Sequence, residues 1–179
     1  MKKVWMAGLG LAMLGLATVP ARAAELKVGD MAPDFALQAS DGKTYKLSDF
    51  KGKQAIVLAW FPAAYTRGCT IECKSLAEHG DMIRKYDVTY FMASVDPLDK
   101  NTGFAQEQHA DFPLLSDPMK TVADTYGVLS PRGVANRWTF YIGKDGRITY
   151  IDKDVNAHLD TSAEVMAAKL GELGVPAKK

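Results

Sequence analysis

Ala55-Ile56-Val57-Leu58-Ala59-Trp60-Phe61 runs directly into Pro62-Ala63-Ala64-Tyr65-Thr66-Arg67-Gly68-Cys69. The apolar run predicts a strand buried on both faces, with a loop at its carboxyl end. From Cys69 to about Tyr86 the spacing turns helical. Leu76 and Ile83 mark a core face, Cys73 and Gly80 flank one side of it, and Glu72, His79 and Tyr86 flank the other. The cysteine therefore stands where a helix begins. A thiol there meets backbone N–H groups without intrahelical partners and the positive end of the helix dipole, so its thiolate is favoured. That is the arrangement of a nucleophile.

Outward from this stretch the chain alternates strands and helices. Phe35 to Gln38 and Thr44 to Leu47 form a hairpin around Asp41-Gly42, which accepts the positive φ of a tight turn. Thr89 to Val95 is the next strand. Asn101 to Gln108 reads as a short helix with an Asn cap, Leu114-Leu115 as a brief extended piece, and Asp117-Pro118 as the start of a helix that ends before Gly127. Trp138 to Ile142 and Arg147 to Ile151 make a second hairpin through Lys144-Asp145-Gly146. The last helix starts at Thr161 with a capping box to Glu164 and buries Val165, Met166, Leu170 and Leu173. The order predicts an α/β sandwich: a mixed β-sheet flanked by helices, with an N-terminal β-hairpin extension.

The first 23 residues read as an export signal. Lys2 and Lys3 give a basic start, Val4 to Val19 is uncharged and apolar, and Ala21-Arg22-Ala23 supplies a small-x-small cleavage pattern. A membrane anchor is the rival reading, but the apolar stretch falls short of the ~20 residues that span a bilayer. Cleavage leaves residues 24–179 as one domain in a periplasmic or secreted protein, with no membrane association afterwards. The net charge of +1 includes Lys2, Lys3 and Arg22, so their loss leaves −2, with no basic block. Nucleic acid is thereby disfavoured as a partner. In an oxidising compartment the two cysteines could also form a structural disulfide.

The spacing Pro-x3-Thr-x2-Cys, met here as Pro62, Thr66 and Cys69, resembles the active-site motif of the peroxiredoxins, thiol enzymes that reduce peroxides. Further segments are similar in order and spacing: Ala32-Pro33-Asp34-Phe35, Leu47-Ser48-Asp49, Gly52-Lys53, Phe112-Pro113-Leu114-Leu115-Ser116-Asp117 and Arg137-x-Thr139-Phe140. The resemblance implies a thioredoxin-like fold over most of the chain after the export signal. Cys69-Thr70-x-Glu72 looks like the Q-type subfamily, also called bacterioferritin comigratory proteins. Three features depart from it. The second cysteine lies four residues after the first where five is usual, Ala63-Ala64-Tyr65 stands where Lys-Asp-Asp is frequent, and Arg67 replaces a common Pro.

Peroxide reduction by a thiol needs a thiolate, donors aimed at the peroxide oxygens and exclusion of water. Cys69 offers the thiolate, Thr66 a hydroxyl in reach of sulfur and substrate, and the N–H groups of Gly68 and Cys69 a small oxyanion site. Pro62 stiffens and shields the loop, and Arg137 matches the family's late arginine, which stabilises the thiolate and grips the oxygens. Cys73 is expected to capture the sulfenic acid on Cys69 before a second peroxide oxidises it further. At i, i+4 their Cβ atoms would lie ~5–6 Å apart where a disulfide wants ~3.5–4.5 Å, so the helix start must unwind.

Some residues carry two readings. Glu72 either pairs with Arg137 or is a solvated helix residue, Arg67 either adds charge near the thiolate or faces solvent, and Trp60, Tyr65 and Trp138 either wall a pocket or pack. His79, His109 and His158 have no metal-like spacing, so no metal or other cofactor is expected. The expected function is a thiol peroxidase acting on hydrogen peroxide and small organic hydroperoxides, recycled by a thioredoxin-like dithiol reductant, as a monomer or weak dimer. The alternatives are an exported thioredoxin-like disulfide oxidoreductase, which would normally carry Cys-x2-Cys, and a redox-sensing binding module.

Overall fold

β3 (Ala55–Trp60) is a central strand of the sheet, and all six of its residues are buried. Strand alternation sends Val57, Ala59 and, just beyond the strand, Phe61 to one face, and Ile56, Leu58 and Trp60 to the other, so each face carries its own apolar cluster. The computed structural model describes residues 25–178, and the expected export signal lies outside them. Among the described residues, no helix is long and apolar enough to cross a membrane.

The remaining strands are β1 (Ala36–Ala39), β2 (Thr44–Lys46), β4 (Val88–Ser94), β5 (Leu114–Ser116), β6 (Thr139–Ile142) and β7 (Ile148–Asp152). Their order is β2-β1-β5-β4-β3-β6-β7. β3, β4 and β5 run parallel, whereas β1, β2, β6 and β7 join by antiparallel pairing. This is the expected mixed, thioredoxin-like sheet with its N-terminal hairpin. Parallel neighbours need crossovers, which here are α1 (Arg67–His79) with α2 (Asp81–Arg84), and α3 (Leu98–Glu107). These helices and α5 (Ser162–Glu172) bury Leu76, Ile83, Phe104, Met166 and Leu170 on the face of Val57. α4 (Thr121–Thr125) and nearby loops cover the opposite face with Ala123, Tyr126 and Val128.

Four helix boundaries differ from the sequence reading. α1 begins at Arg67 and gives way to α2 at Gly80, where a Cβ would sit 2.3 Å from the Tyr90 hydroxyl and 2.5 Å from the Leu76 carbonyl. α3 starts at Leu98, because Asn101 is no cap: fully buried, it accepts from Ser94 Oγ (3.1 Å) and donates to the Leu115 carbonyl (3.0 Å). α4 starts only at Thr121, although Asp117 reaches forward to accept from the Ala123 N–H at 2.8 Å. The capping box of α5 does not form. Thr161 directs its hydroxyl at the His158 carbonyl (3.4 Å), and Glu164 Oε2 is buried without a hydrogen-bond partner. Met166 and Leu170 are buried as expected, while Val165 and Leu173 are half-buried.

Candidate active site

The site forms where β3 stops. The Phe61 N–H still bonds the Ala93 carbonyl (2.9 Å), extending the parallel pairing by one residue before Pro62, which cannot donate. Pro62 is half-buried, Ala64 is buried and Tyr65 takes a left-handed conformation, φ 67°. Thr66 is the extended residue before α1 (φ −84°, ψ 150°), and its carbonyl accepts the Thr70 N–H at 2.9 Å. Cys69 is thus the third residue of the helix. The N–H groups of Arg67, Gly68 and Cys69 have no partner within it and supply the positive end of its dipole.

Sheet register brings the arginine across. β3 and β6 pair antiparallel with Ala59 opposite Thr139, and the Trp60 N–H bonds the Trp138 carbonyl at 2.9 Å. Continuing that register sets Arg137 opposite Phe61, on the face that carries α1. All three guanidinium nitrogens are used. Nη2 donates to Cys69 Sγ at 3.1 Å, Nη1 donates to Glu72 Oε2 in an ion pair, and Nε donates to Asn156 Oδ1 at 3.0 Å. The Cys69, Glu72 and Arg137 side chains are nearly sealed from solvent, with Arg137 only 7% exposed. A charged fork spread over an acid and a sulfur one turn apart on one helix face fixes the geometry of both.

Burial works against the charged forms of Glu72 and Arg137. It lifts the Glu72 carboxyl to about 7, and Arg137 offsets that only in part. On Arg137 burial works against the charge, but Glu72 and Cys69 outweigh it and hold the guanidinium above its ordinary value. Cys73, in the same helix and fully buried among apolar neighbours, is pushed up to about 12 by burial first and then by Glu72 and Cys69. Both cysteines are free thiols, with α1 intact around them.

The structure therefore brings Arg137 onto Cys69, leaves Cys73 one turn on in the apolar core, and resolves Glu72 as the buried partner of the arginine. Thr66 is in the loop as expected, and its exposed hydroxyl donates to the Ala63 carbonyl at 3.0 Å, which leaves its oxygen able to accept but not to donate elsewhere. Arg67 is exposed. The aromatic residues do not form a wall. Trp60 points to the opposite face of the sheet against Tyr126, Tyr65 is half exposed beside Phe104, and Trp138 lies under the Lys153 ammonium. One contributor, Asn156, escaped the sequence reading, and Gly68 has a role beyond its expected N–H. Asn156 lies in a 3-10 turn after β7, where no periodicity marks it. Gly68 lets the guanidinium lie against the helix start, since a Cβ there would be 3.2 Å from Arg137 Nη2.

No three His, Cys, Asp or Glu side chains among the described residues are grouped to hold a metal ion. His158 instead pairs with Asp152 (Nε2···Oδ2 3.0 Å).

Comparison with known proteins fits this geometry. Residues 28–151 match the AhpC/TSA family. The chain is 33% identical over 136 residues to peroxiredoxin Bcp of Escherichia coli K12, covering 72% of this chain and 86% of that protein. It is also 33% identical to alkyl hydroperoxide reductase E of Mycobacterium tuberculosis over 130 residues, covering 71% and 85%. Among solved structures it resembles peroxidoxin BcpB of Mycobacterium tuberculosis, with a TM-score of 0.74 and 30% identity over 83% of this chain and 98% of the other.

Proposed function

Because this chain belongs to the AhpC/TSA family and is a thiol peroxidase of the peroxiredoxin type, we propose that Cys69 is its peroxidatic nucleophile and Cys73 its resolving thiol. The observation that carries the assignment is the buried Arg137 Nη2 donating to Cys69 Sγ at 3.1 Å. A guanidinium at this distance favours sulfur as thiolate, and the same fork remains beside the oxygen on which charge grows as the O–O bond breaks. The N–H groups of Gly68 and Cys69 add donors from the helix start. Thr66, with its proton committed to Ala63, accepts the O–H of the incoming peroxide and orients it.

The first step joins Cys69 sulfur to one peroxide oxygen, giving a sulfenic acid and an alkoxide or hydroxide that takes up one proton. In the second step Cys73 sulfur displaces the hydroxyl from Cys69, forming a disulfide and water. A thioredoxin-like dithiol then supplies two electrons and two protons to restore both thiols. Cys73 cannot attack from the folded helix, because it is buried, protonated and too far along the turn for disulfide geometry. Unwinding of the first two turns of α1 wets Cys73, returns its pKa toward the ordinary thiol range and brings the sulfurs together. One motion thus both activates and delivers the resolving thiol.

The substrates in this reading are hydrogen peroxide and small organic hydroperoxides, and the working form is a monomer or weak dimer. Cleavage after Ala23 and action in the periplasm or outside the cell remain part of it, supported by the basic start, apolar run and Ala21-Arg22-Ala23 pattern. N-terminal sequencing of the exported protein tests that point. Stopped-flow mixing of reduced protein with peroxide, followed by tryptophan fluorescence, tests the chemistry. A fast attack phase followed by a slower capture phase is expected, with the second lost in Cys73→Ser. Peroxide inertness of the wild type would sink the assignment.

A further inference from the structure

Away from the reacting groups, a buried polar cluster lies at the carboxyl end of β4, and it reaches into the active-site loop. Asp96 is 8% exposed. Its Oδ2 accepts the Ala64 N–H at 2.8 Å and lies 3.1 Å from Ser94 Oγ, whose one proton it shares with Asn101 Oδ1, and Oδ1 accepts Lys100 Nζ at 2.6 Å. The backbone around it is also tied down: its N–H donates to Ser94 Oγ (3.1 Å) and its carbonyl accepts from Ser116 Oγ (2.6 Å). The next loop residue, Tyr65, packs against α3, the helix that also carries Lys100. Its ring stands edge-on to Phe104 at 5.3 Å, and its hydroxyl lies where a Cβ on Gly103 would be 2.7 Å away. A non-glycine residue with φ near 67° costs energy and persists only where its surroundings hold it. Here Asp96 holds the residue before Tyr65, and α3 packs against the tyrosine ring.

We propose that Asp96 is a positioning residue that clamps the loop 62–66 in its attack-competent form and thereby resists the unwinding that lets Cys73 reach Cys69. The inference rests on the two-cysteine reading above. It makes the loop anchor a setting between two rates, since a tighter clamp favours attack on peroxide and prolongs the life of the sulfenic acid. A longer-lived sulfenic acid is more open to oxidation by a second peroxide to the sulfinic state.

Asp96→Asn tests this with little change in shape, because one amide cannot both accept from Ala64 and face the Lys100 ammonium with an oxygen. Gly103→Ala loosens the same loop from the Tyr65 side, keeps Asp96 and adds a better helix former, so it decides the matter if Asp96→Asn does not fold. Stopped-flow fluorescence should show attack slowed about tenfold in Asp96→Asn and less in Gly103→Ala, a cost typical of a mispositioned reacting group. Capture should become faster in both. Mass spectrometry after excess peroxide should find less sulfinic acid on Cys69 than in wild type. A merely structural role would slow both phases together. If wild type shows both phases but capture does not accelerate in the variants, the clamp is wrong and the two-cysteine reading stands. If wild type shows no peroxide phase, both fall.

Discussion

Cys69 and Cys73 lie one turn apart on α1 and are equally buried, yet Cys69 faces the Arg137 guanidinium and Cys73 faces hydrocarbon. In the proposed cycle the cationic fork makes the first the nucleophile of the folded helix. Apolar burial, with Glu72 and Cys69 nearby, pushes the second up to about 12 and keeps it inert until the helix opens. Two copies of one side chain thus have different surroundings, and the order of events in the proposed cycle rests on that difference.

Removing either sulfur breaks the contrast most severely. Cys69→Ser should abolish rapid peroxide consumption, whereas Cys73→Ser should retain a single turnover and then accumulate sulfinic acid on Cys69, as seen by quench-flow and peptide mass spectrometry. Removing the charge that separates the two sites comes next. Arg137→Met should slow attack by ~10²-fold in stopped flow while circular dichroism shows the fold retained. An undiminished rate would take the arginine out of the site.

Glu72→Gln should have a smaller effect, slowing attack about tenfold by freeing the fork from its buried anchor. It also carries a pH signature. The folded Glu72 titrates at about 7, above its ordinary 4.5, so the fold favours the protonated acid. Its stabilising contribution is fully present below the ordinary value and is lost as pH rises to about 7. Urea unfolding should therefore show wild type losing stability relative to Glu72→Gln across that window, whereas a constant difference would contradict the assignment. Gly68→Ala is expected to be mildest. Its Cβ, 3.2 Å from Arg137 Nη2, would nudge the fork and slow attack only several-fold, with thermal stability little changed.

The nucleophile's own surroundings were legible in the sequence because they are local. An unbroken apolar run, a proline-bounded loop and helical spacing after Cys69 are all written within a few turns of chain. Arg137 was legible through its family resemblance, and β3–β6 register explains why a residue so distant in sequence arrives at the sulfur. Helical periodicity left Glu72 undecided, since an acid on the flank of an apolar face can be solvated or sealed against a partner from another element. Asn156 gave no signal, because its role depends on where β7 releases the chain. The failed caps teach a related lesson. Asn101 and Thr161 have the right chemistry for helix starts, but Asn101 is drawn into the buried cluster with Ser94 and Leu115, and Thr161 turns to His158. Trp60 shows the limit of proximity in sequence, because strand alternation turns it away from a site that begins two residues later.

The division of labour between the two sulfurs is tested most directly by adding one equivalent of hydrogen peroxide to the reduced protein, trapping it at successive times and mapping both cysteine peptides by mass spectrometry. Oxygen should appear first on Cys69 and then give way to an intrachain Cys69–Cys73 disulfide, with Cys73 never oxidised ahead of it. Initial oxidation at Cys73, or a persistent Cys69 sulfenic acid with Cys73 still reduced, would contradict the account.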